Sequence, residues 1–265
     1  MKNLIKLSFC TLILLVACNA GKKFVYKEVP NTPAAGFDAQ NSDPAAVALA
    51  DSIMKANGGR YAWDMTHYIK WTFLGKRDLI WDKWGERVRI DFLDKNLHVR
   101  LNLKDMTGSV MQDGVLMTQP DSIKKYLGRG KSFWVNDSYW LVMPFKLKDS
   151  GVTLKSLGKK NNAIGAESDV IELTFKNVGD TPNNKYNIYS NPLTHLVTQW
   201  DYFPKSTDPK PAMSVPNSEY RAYGHIMLSP NRGKGLSLAP LAVYSSMPDS
   251  IFTSFAPVDY KGVKY

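Results

Sequence analysis

Hydrophobic positions along this chain change period near Tyr61. Before it, Val47, Ala50, Ile53 and Met54 recur at helical spacing, with Leu49 and Ala56 beside them. Asp43 suits an N-cap, Pro44 suits the first helical position, and Gly58-Gly59 supplies a stop, so a helix is predicted over 44–57. After Tyr61 the period falls to two. Ile69, Trp71 and Phe73 alternate with Lys70 and Thr72; Val88, Ile90 and Phe92 alternate with Arg87, Arg89 and Asp91. Leu97, Val99, Leu101 and Leu103 alternate with His98, Arg100, Asn102 and Lys104. Short polar turns join these segments, which predicts an antiparallel meander with one face buried and the other wet. Asp113-Gly114 between two apolar pairs signals a further hairpin. The alternation breaks from Pro120 to Asp149, where 122–127 and 138–147 read as helical or irregular and are rich in Trp and Tyr. Strand signals resume at 152–157 and continue through 171–175, 186–188, 196–202, 220–228 and 236–244. The sum is roughly ten strands, one clear helix before them and a helical insertion in their midst, in an α+β domain over 43–265.

The first residues follow a different logic. Lys2 and Lys6 precede an apolar run from Leu7 to Ala17, interrupted only by Ser8 and Thr11. That run is too short to span a bilayer, which takes about 20 residues, and fits a secretory signal over 1–17. It ends in Leu15-Val16-Ala17-Cys18, which looks like a bacterial lipobox. The expected product is cut before Cys18 and acylated on it, a lipoprotein held stably by two or three chains. The alternatives are an ordinary signal peptide with a chance cysteine, or a short membrane anchor. Residues 18–42, with Pro30, Pro33, Ala34, Ala35 and Gly36, read as a lipidated flexible tether, dispensable for folding. Cys10 is the one other cysteine and leaves with the signal, so disulfides are excluded from the mature chain.

The precursor carries a net charge of +10, with 34 basic and 24 acidic residues. Losing Lys2 and Lys6 leaves an excess of basic residues that suits anionic head groups or acidic glycans, or simply a solvated surface. Nucleic acid is not an expected partner, because the compartment is wrong and no basic run interleaves with aromatics.

Helix, meander, helical insertion and further strands behind a lipobox resemble the LolA/LolB-like superfamily of periplasmic lipoprotein carriers and receptors. The residues behind the resemblance are Ala48-Leu49-Ala50 through Gly58-Gly59, and the stretch from Phe133-Trp134-Val135-Asn136-Asp137 to Phe145-Lys146-Leu147. The resemblance implies a curved antiparallel sheet, an incomplete barrel, with helices covering a concave face that holds acyl chains. No acyl-handling residue of the family maps to a position here.

Catalytic signals are weak. Gly130-Lys131-Ser132 lacks the upstream glycine of a phosphate loop, since Lys125 stands there. No Gly-x-Ser-x-Gly elbow occurs, and His67, His98, His195 and His225 show no metal-ligand spacing, so they read as surface or edge histidines. No enzyme activity, catalytic residue, metal or cofactor is expected. Trp71, Trp81, Trp84, Trp134, Trp140 and Trp200 read first as core, then as cavity lining, then as sugar-stacking platforms. The favoured function is non-catalytic binding of a lipid or lipoprotein acyl chain. Ile69, Trp71, Phe73, Val88, Ile90 and Phe92 are the expected walls and the 120–149 insertion is a movable cover. The expected location is the cell envelope, on the periplasmic face of the outer membrane. Surface glycan binding through exposed aromatics and a structural envelope scaffold are the alternatives.

Overall fold

The computed structural model describes residues 29–176, 183–261 and 263–264. The signal segment, Cys18 and the first part of the tether lie outside the described residues. Helix α1 (Pro44–Ala56) buries Ala46, Ala50, Ile53 and Met54, the stripe its spacing dictates. The carboxylate of Asp43 does not cap it but accepts a bond of 2.9 Å from the Ser156 amide. Gly58, at φ +114°, turns the chain into α2 (Gly59–Met65); a Cβ there would lie 2.5 Å from the His225 carbonyl oxygen, so only glycine fits.

Six strands follow: β1 (Tyr68–Phe73), β2 (Arg77–Asp82), β3 (Arg87–Phe92), β4 (Leu97–Asn102), β5 (Gly108–Gln112) and β6 (Val115–Leu116). They pair antiparallel in chain order, and β14 (Ala242–Tyr244) adds to the free edge of β1. Asp113 and Gly114 both take positive φ, +52° and +77°, as a tight two-residue hairpin requires. A 23-residue helix, α3 (Pro120–Val142), then crosses this sheet and continues into the 3-10 turn Met143–Phe145. At 1.5 Å per residue it covers roughly 35 Å. A second sheet follows, of β7 (Val152–Asn161), β8 (Glu167–Phe175), β9 (Lys185–Ser190), β10 (Val197–Phe203) and β11 (Met213–Pro216). Strands β12 (Arg221–Tyr223) and β13 (Ile226–Leu228) form a hairpin, and α4 (Ser250–Thr253) lies near the end.

The architecture is α+β with large, curved antiparallel sheets that do not close into a barrel. The described strands number fourteen, in sheets of seven, five and two, rather than about ten in one. The reason is α3. Its length carries the chain away from β6, and β7 starts a new ladder with β8 instead of continuing the old one.

Three apolar cores form among the described residues, the smallest around Tyr68, Ile80, Tyr244, Ile251 and Phe252 under the C-terminal segment. Of the two larger, one lies between the seven-stranded sheet and α3, and the other between the five-stranded sheet and α1, around Ala46, Ala50, Ile53, Leu154, Ile171, Leu173 and Ile188. Trp140 joins them, edge-on to Phe73 of β1 at 5.4 Å and to Trp200 of β10 at 4.9 Å.

Two expectations need correction. The outer face of the meander is not simply wet. Arg89 and Arg100 are 4% and 3% exposed, roofed by the C-terminal segment. Arg89 donates to the carbonyls of Ile251 and Ala256, Arg100 to that of Ser254, and Asp91 accepts from both guanidiniums and faces His98. The flexible-tether reading of 18–42 also fails for its last residues, which strap along β7. Ala34 N donates to Lys148 O at 2.9 Å, Gly151 N to Gly36 O at 2.8 Å and Asp38 N to Val152 O at 3.0 Å. The Leu154 amide donates to Ser42 Oγ at 3.0 Å, and Phe37 packs on the second core. Each bond contributes about 1 kcal/mol net and a buried Phe about 2 kcal/mol. A mature chain lacking residues 29–41 is therefore expected to lose about 3 kcal/mol or more in urea unfolding, and an unchanged midpoint would return these residues to the spacer.

One partly buried amine gives the fold a pH signature. Lys83, on the β2–β3 turn, donates to the carbonyls of Trp63 and Thr66 and lies 3.7 Å above the Trp63 ring. Burial, opposed by Asp64 and assisted by Arg60 and Lys146, pushes its amine down to about 7. From there to the unfolded value near 10.5 the unfolded chain holds a proton the folded chain has released. Stability should therefore rise with pH across that window. In Lys83→Met this slope should flatten when melts are compared at pH 7 and pH 9.

Candidate functional site

The register of β1 to β5 places one continuous face toward α3. Ile69 pairs with Trp81, Trp71 with Leu79, Leu79 with Ile90, Trp81 with Val88, Ile90 with Val99 and Val99 with Val110. All six residues expected as walls belong to it. Ile69, Trp71, Val88 and Ile90 are fully buried, and Phe73 and Phe92 nearly so at 5% and 6% exposure. Around β1 and β2 this face is packed core, closed by Trp63 and Phe145, whose rings stack at 4.5 Å. Phe92 also borders open space.

That space lies farther along, because α3 is attached unevenly. Its C-terminal half is locked. Trp134 meets Trp81 edge-on at 5.3 Å, and Asp137, fully buried, accepts from Arg77 Nε at 2.8 Å and Nη2 at 3.0 Å. Burial raises the Asp137 carboxyl above its ordinary value, despite the opposing pull of Arg77 and Asn136. Arg232, 1% exposed, donates to the Trp140 carbonyl in the last turn of α3, where the helix dipole favours a cation.

The N-terminal half carries Lys124, Lys125, Arg129 and Lys131 on its exposed side and buries only Leu127 and Gly130. Gly130 allows the close approach: a Cβ there would sit 3.2 Å from Val99 Cγ1 and 3.7 Å from Ile90 Cδ1. On either side of this contact the helix stands off the sheet. One cleft of about 550 Å³ has Phe92, Leu97, Val99, Tyr126 and Phe133 as walls and Asp94, Lys95, Asp113 and Arg129 on its rim. A second, of about 520 Å³, lies among Met106, Pro120, Ile123 and Leu127. The first cleft is of mixed polarity and the second mainly apolar, a combination that suits an amphiphile, each buried methylene contributing about 0.8 kcal/mol.

The alternation of apolar residues identifies the face that α3 covers, and the six residues expected as walls lie on β1 and β3 of that face. Leu97, Val99, Tyr126 and Phe133 are walls that it did not single out. Leu97 and Val99 carry the same alternation as the six expected residues, so their signal was present. Tyr126 and Phe133 needed the helix rotation, which the broken pattern of 120–149 does not give. Of the six tryptophans singled out, Trp84 alone is more than half exposed, at 54%. Among the histidines, His67 faces Asp82 at 3.0 Å and His98 faces Asp91 at 2.9 Å. Among the described residues, no group of three or more His, Cys, Asp or Glu side chains could hold a metal ion, and no helix is long and apolar enough to cross a membrane.

No protein-family model and no curated protein matches the chain. Solved structures do. A DUF1329 family protein from Desulfovibrio piger ATCC 29098 is 15% identical, with a TM-score of 0.45 over 80% of this chain and 98% of that one. MucB is 12% identical, with a TM-score of 0.26 over 78% of this chain and 70% of its own.

Proposed function

We propose that this chain is a lipid-anchored envelope protein that binds the apolar part of an amphiphile, such as a lipid or a lipoprotein acyl chain, without catalysis. In this reading Cys18 is acylated, the domain faces the periplasm from the outer membrane, and the ligand lies between α3 and strands β3 to β5. The observation that carries it is the uneven fastening of α3, held at its C-terminal half and flanked at its N-terminal half by one cleft of mixed polarity and one mainly apolar. The resemblance of the sequence to the LolA/LolB-like carriers points the same way. A helix fixed at one end can lift at the other and expose Leu97, Val99 and Leu101 to a ligand while the part of the core around Trp71 stays packed.

A reversible lock tests this. Gly130→Cys with Val99→Cys places two thiols across the contact, within reach of a disulfide. The mature chain should contain no competing free thiol. A fluorescent fatty-acid probe is expected to bind the reduced double variant and the parent alike. The oxidised form should bind at least tenfold more weakly and recover on reduction. Equal binding in both redox states would put the ligand elsewhere. No binding by the parent would leave the scaffold reading, which the full burial of Trp71 and its neighbours favours.

A further inference from the structure

Four large apolar side chains stand exposed around α2: Val29 at 36%, Tyr61 at 37%, Met65 at 49% and Trp84 at 54%. They are contiguous. Tyr61 and Met65 lie four residues apart on α2 and share a face. Trp84, on the β2–β3 turn, donates its indole N–H to the Asp64 carbonyl at 2.9 Å and stacks on His67 at 4.0 Å between centroids. Val29 and Tyr61 line one groove of about 970 Å³ with Pro30, Met54 and Gly59. The charges around the patch nearly balance: Arg60 is paired with Asp64 and Asp51 with Lys148, which leaves Lys55 of the groove as the excess. Trp84 is therefore fixed in orientation, its polar atom satisfied, its ring presented outward.

We propose that this face rests on the bilayer, with Tyr61, Met65 and Trp84 at the boundary between head groups and acyl chains. The proposal rests on the acylation of Cys18 proposed above. Val29 lies within the patch itself, and Cys18 is only eleven positions upstream. Fully extended, that connection reaches about 40 Å at most. An anchored domain is thus kept close to the membrane at this corner. Tyr and Trp favour such a boundary, where one end of the side chain is apolar and the other wet. A near-neutral aromatic patch gains its affinity from apolar area, so it should depend little on lipid charge.

The test uses the acylated mature protein in vesicles of phosphatidylethanolamine with and without phosphatidylglycerol. An environment-sensitive dye is attached to Met65→Cys, or to Leu193→Cys on the β9–β10 turn, where Leu193 is 90% exposed. At position 65 the emission should shift to the blue and be quenched by brominated lipid, with or without phosphatidylglycerol. At position 193 it should stay water-like. Water-like emission at 65, or an equal response at both positions, would overturn the proposal. The intact mass of the same sample reports acylation separately. An acylated protein with position 65 in water defeats the bilayer face alone. An unacylated protein whose position 65 still shifts defeats the anchor and keeps the face.

Discussion

Trp71→Ala should cost about 3–5 kcal/mol of folding stability, the usual loss for a large aromatic removed from a packed core. Trp71 is fully buried, and its strand neighbours Ile69 and Phe73 and its register partner Leu79 are buried with it. Nothing in this part of the core can collapse cheaply into the hole, because β1 is held on both sides by β2 and β14. Urea unfolding followed by fluorescence measures the loss. The parallel measurement is uptake of an apolar probe by whatever fraction remains folded. Uptake should be nearly unchanged, since the proposed ligand space lies under the other end of α3. A small stability change with impaired uptake would mean that the cavity reaches β1 after all, as the alternation of its residues suggests.

Arg77→Ala should be nearly as damaging, by about 3–5 kcal/mol, for an electrostatic reason. It leaves Asp137 fully buried without its cation. The guanidinium also lies 4.3 Å from the Phe133 ring centre and 5.0 Å from that of Phe73, so packing is lost too. The pH dependence identifies the cause. Without Arg77 the folded carboxyl is raised further above its unfolded value, so the folded state takes up a proton sooner than the unfolded one as pH falls. The deficit of the variant should be largest near neutral pH and shrink in mild acid. Replacing both partners, Arg77→Met with Asp137→Leu, should restore most of the stability, because no buried charge is left unpaired. A double variant as unstable as Arg77→Ala would show that the pair acts through packing alone. The pair also fastens the C-terminal half of α3 to β2. If α3 is the cover of the ligand site, the single variant should take up the fatty-acid probe faster than the parent.

The two variants mark the limits of what is legible in the chain. Trp71 announces itself, since strict alternation and β-branched or aromatic neighbours are enough to put it on a buried face. The Arg77–Asp137 pair does not, because sixty residues separate partners that meet only when α3 folds across the sheet. The same holds for the arginines of the meander. Arg89 and Arg100 sit on the polar side of the alternation, where solvent is the expectation, yet the C-terminal segment covers them. Helix α3 itself is split in the sequence pattern. Gly128 and Gly130 lower helix propensity by about 1 kcal/mol each relative to alanine. Packing against Val99 and Ile90 overrides that cost and gives the second glycine its purpose.

Local chemistry alone determined the helix over 44–57, strands β1, β3 and β4 of the meander (but not β2 between them), the Asp113-Gly114 turn and the identity of the buried face. Each of these depends on neighbours a few residues away, through side-chain period, capping and backbone freedom. The tertiary structure decided which part of that face is filled and which is left open. It also decided that residues 34–42 strap β7, and that the described strands form three sheets rather than one. Those outcomes depend on where a helix of roughly 35 Å comes to lie, and on contacts between segments distant in the chain that no local pattern encodes.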